Sequence, residues 1–232
     1  MNPRRVIPAL CAALLAVPAA LVFPASTRAD TAACGVVPYA YAGWESRTSA
    51  FGAAAIVTSL EAPTVASGHV AAWVGVGGVG QGPDGSDEWI QAGVSSFASP
   101  GTGSIYYEVA RPNAAPQYVE VAQGVEVGAS HRIAVLEMAH RRSWWRVWID
   151  GRPASPPIEL PGSHGTWAPQ AVAESWNGGM QSCNRYAFRF ERILTAGGPG
   201  GRWQPFRSGV RISDAGYRVL SSRPASFIAT AI

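Results

Sequence analysis

Apolar and polar residues alternate with a period of two through most of this chain, and no stretch holds a 3.6-residue period for more than a couple of turns. The runs SIYYEVA (104–110), PQYVEVA (116–122), HRIAVLEMA (131–139) and SWWRVWIDGRP (143–153) are rich in β-branched and aromatic residues. Each is bounded by Gly, Pro, Asn or Ser, which marks a strand between turns. Asp150-Gly151 predicts a tight hairpin, because both central positions of a type I′ turn need positive φ. Further strands are expected in QAVAESW (170–176), RYAFRFERIL (185–194) and the run to SFIATAI (226–232), with the loop TAGGPGGRWQPF (195–206) between the last two. Many short strands at regular spacing predict an all-β fold, an antiparallel sandwich of two sheets in a single domain.

The chain is organised around residues 71–97, AAWVGVGGVGQGPDGSDEWIQAGVSSF, in which two strand-like runs flank a Gly/Pro/Asp segment. In EWIQAGV, period two puts Ile90, Ala92 and Val94 on the better core face and Trp89, Gln91 and Gly93 on the other. Gln91 is therefore a polar residue on a face otherwise built of large or small side chains. Val172, Glu174 and Trp176 likewise share a face, as do Trp144, Arg146 and Trp148, opposite a buried set of Trp145, Val147 and Ile149. Faces carrying Trp beside a polar group are expected to line one groove.

At the N-terminus, a basic MNPRR, the apolar run VIPALCAALLAVPAALVF and the small-residue zone PASTRAD read as an export signal covering residues 1–29, with cleavage after Ala29 or, alternatively, Ala33. Two prolines and a short apolar run argue against a permanent membrane anchor, and the charged Arg28 and Asp30 before Cys34 argue against a lipoprotein. Residues 30–232 then form the domain. Three of the 18 basic residues (Arg4, Arg5, Arg28) lie in the leader, and the remainder balances 15 basic against 15 acidic residues. Such a balance gives neither a nucleic-acid groove nor a polybasic membrane patch. All the basic residues are arginine, as GC-rich coding would also produce. Cys34 and Cys183 remain after Cys11 leaves with the leader, and an even pair in an exported chain is most simply one disulfide. Closing so long a loop contributes on the order of 4–5 kcal/mol in the chain-entropy picture.

Several chemistries lack their motifs. Gly75, Gly77 and Gly80 satisfy G-x-G-x-x-G, but QGPDGSDEW follows where a phosphate-binding helix should start. The histidines His69, His131, His140 and His164 show no zinc-ligand spacing, so neither metal nor cofactor is expected. There is no G-x-S-x-G elbow and no compact E-x-D-x-E pair of glucanase type.

At AWVGVGG, EWIQAGV, IYYEVARP and AVAESW, over roughly residues 41–176, the chain resembles the glutamic peptidases, the eqolisin family. The resemblance implies a concanavalin A-like sandwich. It implies Gln91 and Glu174 as a catalytic pair, and Trp73, Trp89, Tyr107, Glu108 and Trp176 as substrate-binding residues of the cleft. Two departures stand out: Gly77 where the family commonly has an acidic residue after Trp-Val-Gly, and Gln170 where a second acidic residue often precedes the catalytic glutamate by four positions.

In the implied reaction, the Glu174 carboxylate acts as general base on a water attacking a peptide carbonyl, while the Gln91 amide donates to the developing oxyanion. The expectation is thus an extracellular, monomeric endopeptidase, free or associated with the cell envelope. The competing expectation is a non-catalytic module that binds a glycan or peptide on a face lined by Trp89, Trp144, Trp148 and Trp176. A third is a structural envelope protein.

Overall fold

A computed structural model describes residues 38–98, 103–177, 184–221 and 223–232. The expected export signal, residues 1–29, and the expected disulfide pair, Cys34 and Cys183, lie outside the described residues. Sixteen strands follow in order: β1 (Tyr39–Ser46), β2 (Gly52–Ser59), β3 (His69–Gly78), β4 (Glu88–Phe97), β5 (Gly103–Ala110), β6 (Gln117–Val125), β7 (Ser130–Glu137) and β8 (Trp144–Ile149). Then come β9 (Arg152–Pro153), β10 (Ile158–Glu159), β11 (Gln170–Trp176), β12 (Ala187–Ala196), β13 (Trp203–Pro205), β14 (Gly209–Ser213), β15 (Tyr217–Leu220) and β16 (Phe227–Ala231). The Gly/Pro/Asp segment between β3 and β4 forms a single 3-10 turn over Pro83–Gly85.

The strands make two antiparallel sheets. One has the order β14-β1-β11-β3-β4-β5-β6; the other runs β10-β8-β7-β2-β12-β16-β15, with β9 on β8 and β13 on β12. The expected antiparallel sandwich of two sheets is what forms.

Period two does the sorting. On β3, Val70, Ala72, Val74 and Val76 enter the core between the sheets, while Ala71 and Trp73 belong to a smaller cluster on the other side of the same strand. The second sheet answers with Val57, Ile133, Val147, Phe188 and Phe190, all at most 1% exposed. Each buried phenylalanine contributes about 1.5–3 kcal/mol relative to exposure. At the hairpin after β8, Asp150 and Gly151 have φ of 50° and 78°, as a type I′ turn requires.

The second sheet also settles the tryptophans. Trp144 and Trp148 stand on β8, whereas Trp89 and Trp176 stand on β4 and β11 of the first sheet. The four expected to share one binding face therefore belong to different sheets. Trp144 is instead covered by Arg141, whose guanidinium carbon lies 3.6 Å from the ring centre.

Candidate functional site

A cleft of about 600 Å³ opens on the outer face of the seven-stranded sheet. Its floor is set by backbone register. Across five neighbouring strands, Glu45 pairs with Gln170, Gln170 with Gly75, Gly75 with Gln91, and Gln91 with Glu108. Carboxylate, amide, glycine, amide and carboxylate thus form one level row, and all five residues line the cleft.

Gly75 is what opens the centre of that row. A Cβ there would come within 2.9 Å of both Gln91 Cβ and the Ile90 carbonyl oxygen, so the position is held bare by close strand approach. Gln170 and Gln91 consequently face each other over a gap of two strand spacings, about 10 Å. Gln170 is only 7% exposed, yet its amide makes no hydrogen bond among the described residues. Gln91 makes one long contact, its amide N–H donating to the Tyr106 hydroxyl at 3.5 Å.

Glu174 lies elsewhere along the floor. It pairs with Ala71 on β3 and Tyr41 on β1, four residues from the level of Gly75. That offset is about 13 Å along the strand, added to two strand spacings across. Gln91 and Glu174 share a face and a cleft but stand at different levels of its floor and make no hydrogen bond to one another. The residue level with Gln91 on β11 is Gln170.

The Glu174 carboxylate has its own partners. Trp73 Nε1 donates to Oε2 at 3.1 Å, and His69 Nε2 lies 2.9 Å from Oε1. Rings gather round it: Tyr39 stacks on Tyr41 at 6.2 Å and on Trp176 at 6.1 Å, and His69 lies 5.4 Å from both Trp176 and Phe97. Burial, then the charge of Glu174 and then that of Glu108, push the Tyr39 phenol up to about 12. Burial, followed by Glu174, raises Tyr41 as well. Both phenols stay neutral and able to donate.

Glu108 is the titratable group beside Gln91. Burial, and next the Glu174 charge, raise its carboxyl to about 7, against smaller opposing effects from the Trp89 hydrogen bond and His69. Trp89 and Trp73 thus each serve one acidic residue of the floor, as donors from rings that are themselves 9% and 6% exposed.

Of the expected site residues, Trp73, Trp89, Gln91, Glu108 and Glu174 line the cleft, and Trp176 stands beside it against Tyr39. Tyr107 does not. It packs in the core between the sheets, and its neighbour Tyr106 takes the cleft side, stacked on Tyr118 at 5.0 Å. Adjacent residues of a strand cannot both face the cleft, so Tyr107 and Glu108 could not serve it together. Gln170, Gly75, Glu45 and His69 are the cleft residues that alternation did not single out. Among the described residues no three His, Cys, Asp or Glu side chains converge as a metal site, and no helix is long and apolar enough to cross a membrane.

No protein-family profile and no curated protein matches the chain. Solved structures do. A scytalidoglutamic peptidase bound to a peptide-based transition-state analogue superposes with a TM-score of 0.58 at 15% identity, covering 83% of this chain and 98% of that one. The same peptidase with a transition-state analogue inhibitor gives 0.59 at 13% identity with the same coverage. This chain has the glutamic-peptidase fold. SCP-B, a member of the eqolisin family in complex with the tripeptide Ala-Ile-His, gives 0.53 at 14% identity, again over 83% and 98% of the two chains. At these identities the likeness speaks for the sandwich, and the chemistry has to come from the cleft itself.

Proposed function

We propose that this chain is an exported, monomeric polypeptide-binding protein built on the glutamic-peptidase sandwich, which holds an extended segment across the Gln170–Gly75–Gln91 row without cleaving it. The observation that carries this reading is the amide at Gln170, level with Gln91 across the bare Gly75. A peptide bond is itself an amide with one donor and one acceptor. Two primary amides facing one another can donate to its carbonyl oxygen and accept from its N–H. Hydrolysis at the same place needs a group that takes a proton from water, and a carboxamide is not such a base. The fold's likeness to proteins solved with peptide ligands supports a polypeptide over a glycan. So does the stagger of the cleft-side tryptophans: Trp89, Trp73 and Trp176 stand at the levels of Gly77, Trp73 and His69 on β3, and Trp144 and Trp148 belong to the other sheet.

One observation favours a second reading, a hydrolase in which Glu108 is the base and Gln91 the oxyanion donor. Glu108 is the cross-strand neighbour of Gln91, and its carboxyl is held at about 7, where a general base works well near neutral pH. Incubating the purified protein with unfolded casein from pH 2 to 8, alongside titration with the same casein fragments, separates the two. Binding with no new peptide products is expected. Cleavage by the parent that disappears in Glu108→Gln would replace the first reading with the second.

A further inference from the structure

Resting on the polypeptide-binding reading, we infer that the cleft selects segments carrying basic side chains, lysine or arginine, next to the peptide bond held between Gln170 and Gln91. Glu108, Glu174 and Asp214 all line the cleft. The hydrogen bonds they receive come from groups without a fixed positive charge: Trp89 to Glu108, Trp73 and His69 to Glu174, and the Tyr41 backbone N–H to Asp214 at 2.8 Å. Indole and peptide N–H groups satisfy oxygens without neutralising them. Arg211 touches the cleft, but it pairs with Trp44 and so alternates onto the opposite face from Val210 and Ile212. Like charges crowd here: after burial, the Glu174 charge is the second cause that raises the Glu108 carboxyl.

The walls suit the same ligand. Tyr39, Tyr41 and Trp176 present stacked rings beside Glu174, and a cation over such faces is attracted by the ring quadrupole. Gln170, 7% exposed and lining the cleft with no hydrogen bond from its amide among the described residues, is a separate sign that the row awaits a polar ligand. A basic side chain beside a main-chain amide meets all three needs: charge for the carboxylates, a cation for the rings, and hydrogen bonds for Gln170 and Gln91.

The test uses the full protein as secreted and four fluorescent octapeptides that differ only at one central residue: arginine, lysine, citrulline or norleucine. Polarisation titrations at pH 8 and low salt should show the arginine and lysine peptides binding ~10-fold or more tighter than the two neutral ones. Glu108→Gln should shrink that advantage, and 0.5 M salt should reduce it too. Equal affinity of the arginine and citrulline peptides would overturn the charge preference while leaving polypeptide binding intact. Failure of all four to bind would overturn the polypeptide-binding reading itself.

Discussion

Gln91 and Gln170 stand at the same level of the sheet on the two strands that flank β3, with Gly75 between them. Neither has a short hydrogen bond, and both point into the cleft.

Placing a carboxylate at position 170 would set a base across Gly75 from the Gln91 amide. Gln170→Glu is therefore expected to gain peptide hydrolysis relative to the parent. A positioned general base contributes about 10²–10⁴-fold, so a fluorogenic peptide should report at least about 100-fold above the parent. A variant that binds the peptide yet stays at the parental rate would show that the two positions do not reach one carbonyl.

Glu108 makes stability fall with pH. Its folded value of about 7 lies above the ordinary 4.5, so the folded state holds the proton more tightly between those two pH values. Stability is fully present below about 4.5 and declines as pH rises to about 7, as the buried carboxyl ionises beside Glu174. Glu108→Gln should remove that slope and stabilise the protein by about 1–3 kcal/mol above pH 7, an amount discounted for partial exposure. Urea midpoints of parent and variant at pH 4.5 and 8 check it; parallel changes in both would count against it.

Trp73→Phe keeps the ring in the outer cluster but deletes the N–H that reaches Glu174 Oε2. The loss leaves one oxygen of a buried carboxylate without that donor and should cost about 1–3 kcal/mol. Trp73→Phe combined with Glu174→Gln should cost less than the sum of the two single changes, which a double-mutant cycle in urea measures.

Gly75→Ala should weaken peptide binding more than it weakens the fold. The added methyl meets Gln91 Cβ and the Ile90 carbonyl, so β3 and β4 must part locally. Overpacking of this kind costs about 1–3 kcal/mol, and it fills the gap between the two amides. Binding reduced at least tenfold, with a melting transition still cooperative, is the expected pair of results.

How much of this was legible beforehand can be traced residue by residue. Strand identity and face were, because period-two patterning is local: Gln91, Glu174 and Trp89 all emerge on the cleft side, and Trp145, Val147 and Ile149 in the core. Tyr107, which the family resemblance implies for the cleft, alternates with Glu108 and so falls in the core. Gln170 and Glu174 are four residues apart on one strand, so alternation puts both on the cleft face and cannot choose between them. Only cross-strand register does, and register depends on which strands become neighbours. The same non-local choice divided Trp144 and Trp148 from Trp89 and Trp176.

β3 runs through the whole floor, with His69 at one end beside Glu174 and Gly75 six positions on at the central row. Six strand residues measure about 20 Å. A ligand that reaches both the aromatic end and the amide row is thus a stretch of roughly six extended residues. Free amino acids and dipeptides are too short to bridge those stations, and a compact folded partner would have to lend an unstructured loop or tail. On the proposed polypeptide-binding reading, that spacing fits exposed chain: unfolded segments, termini and linkers.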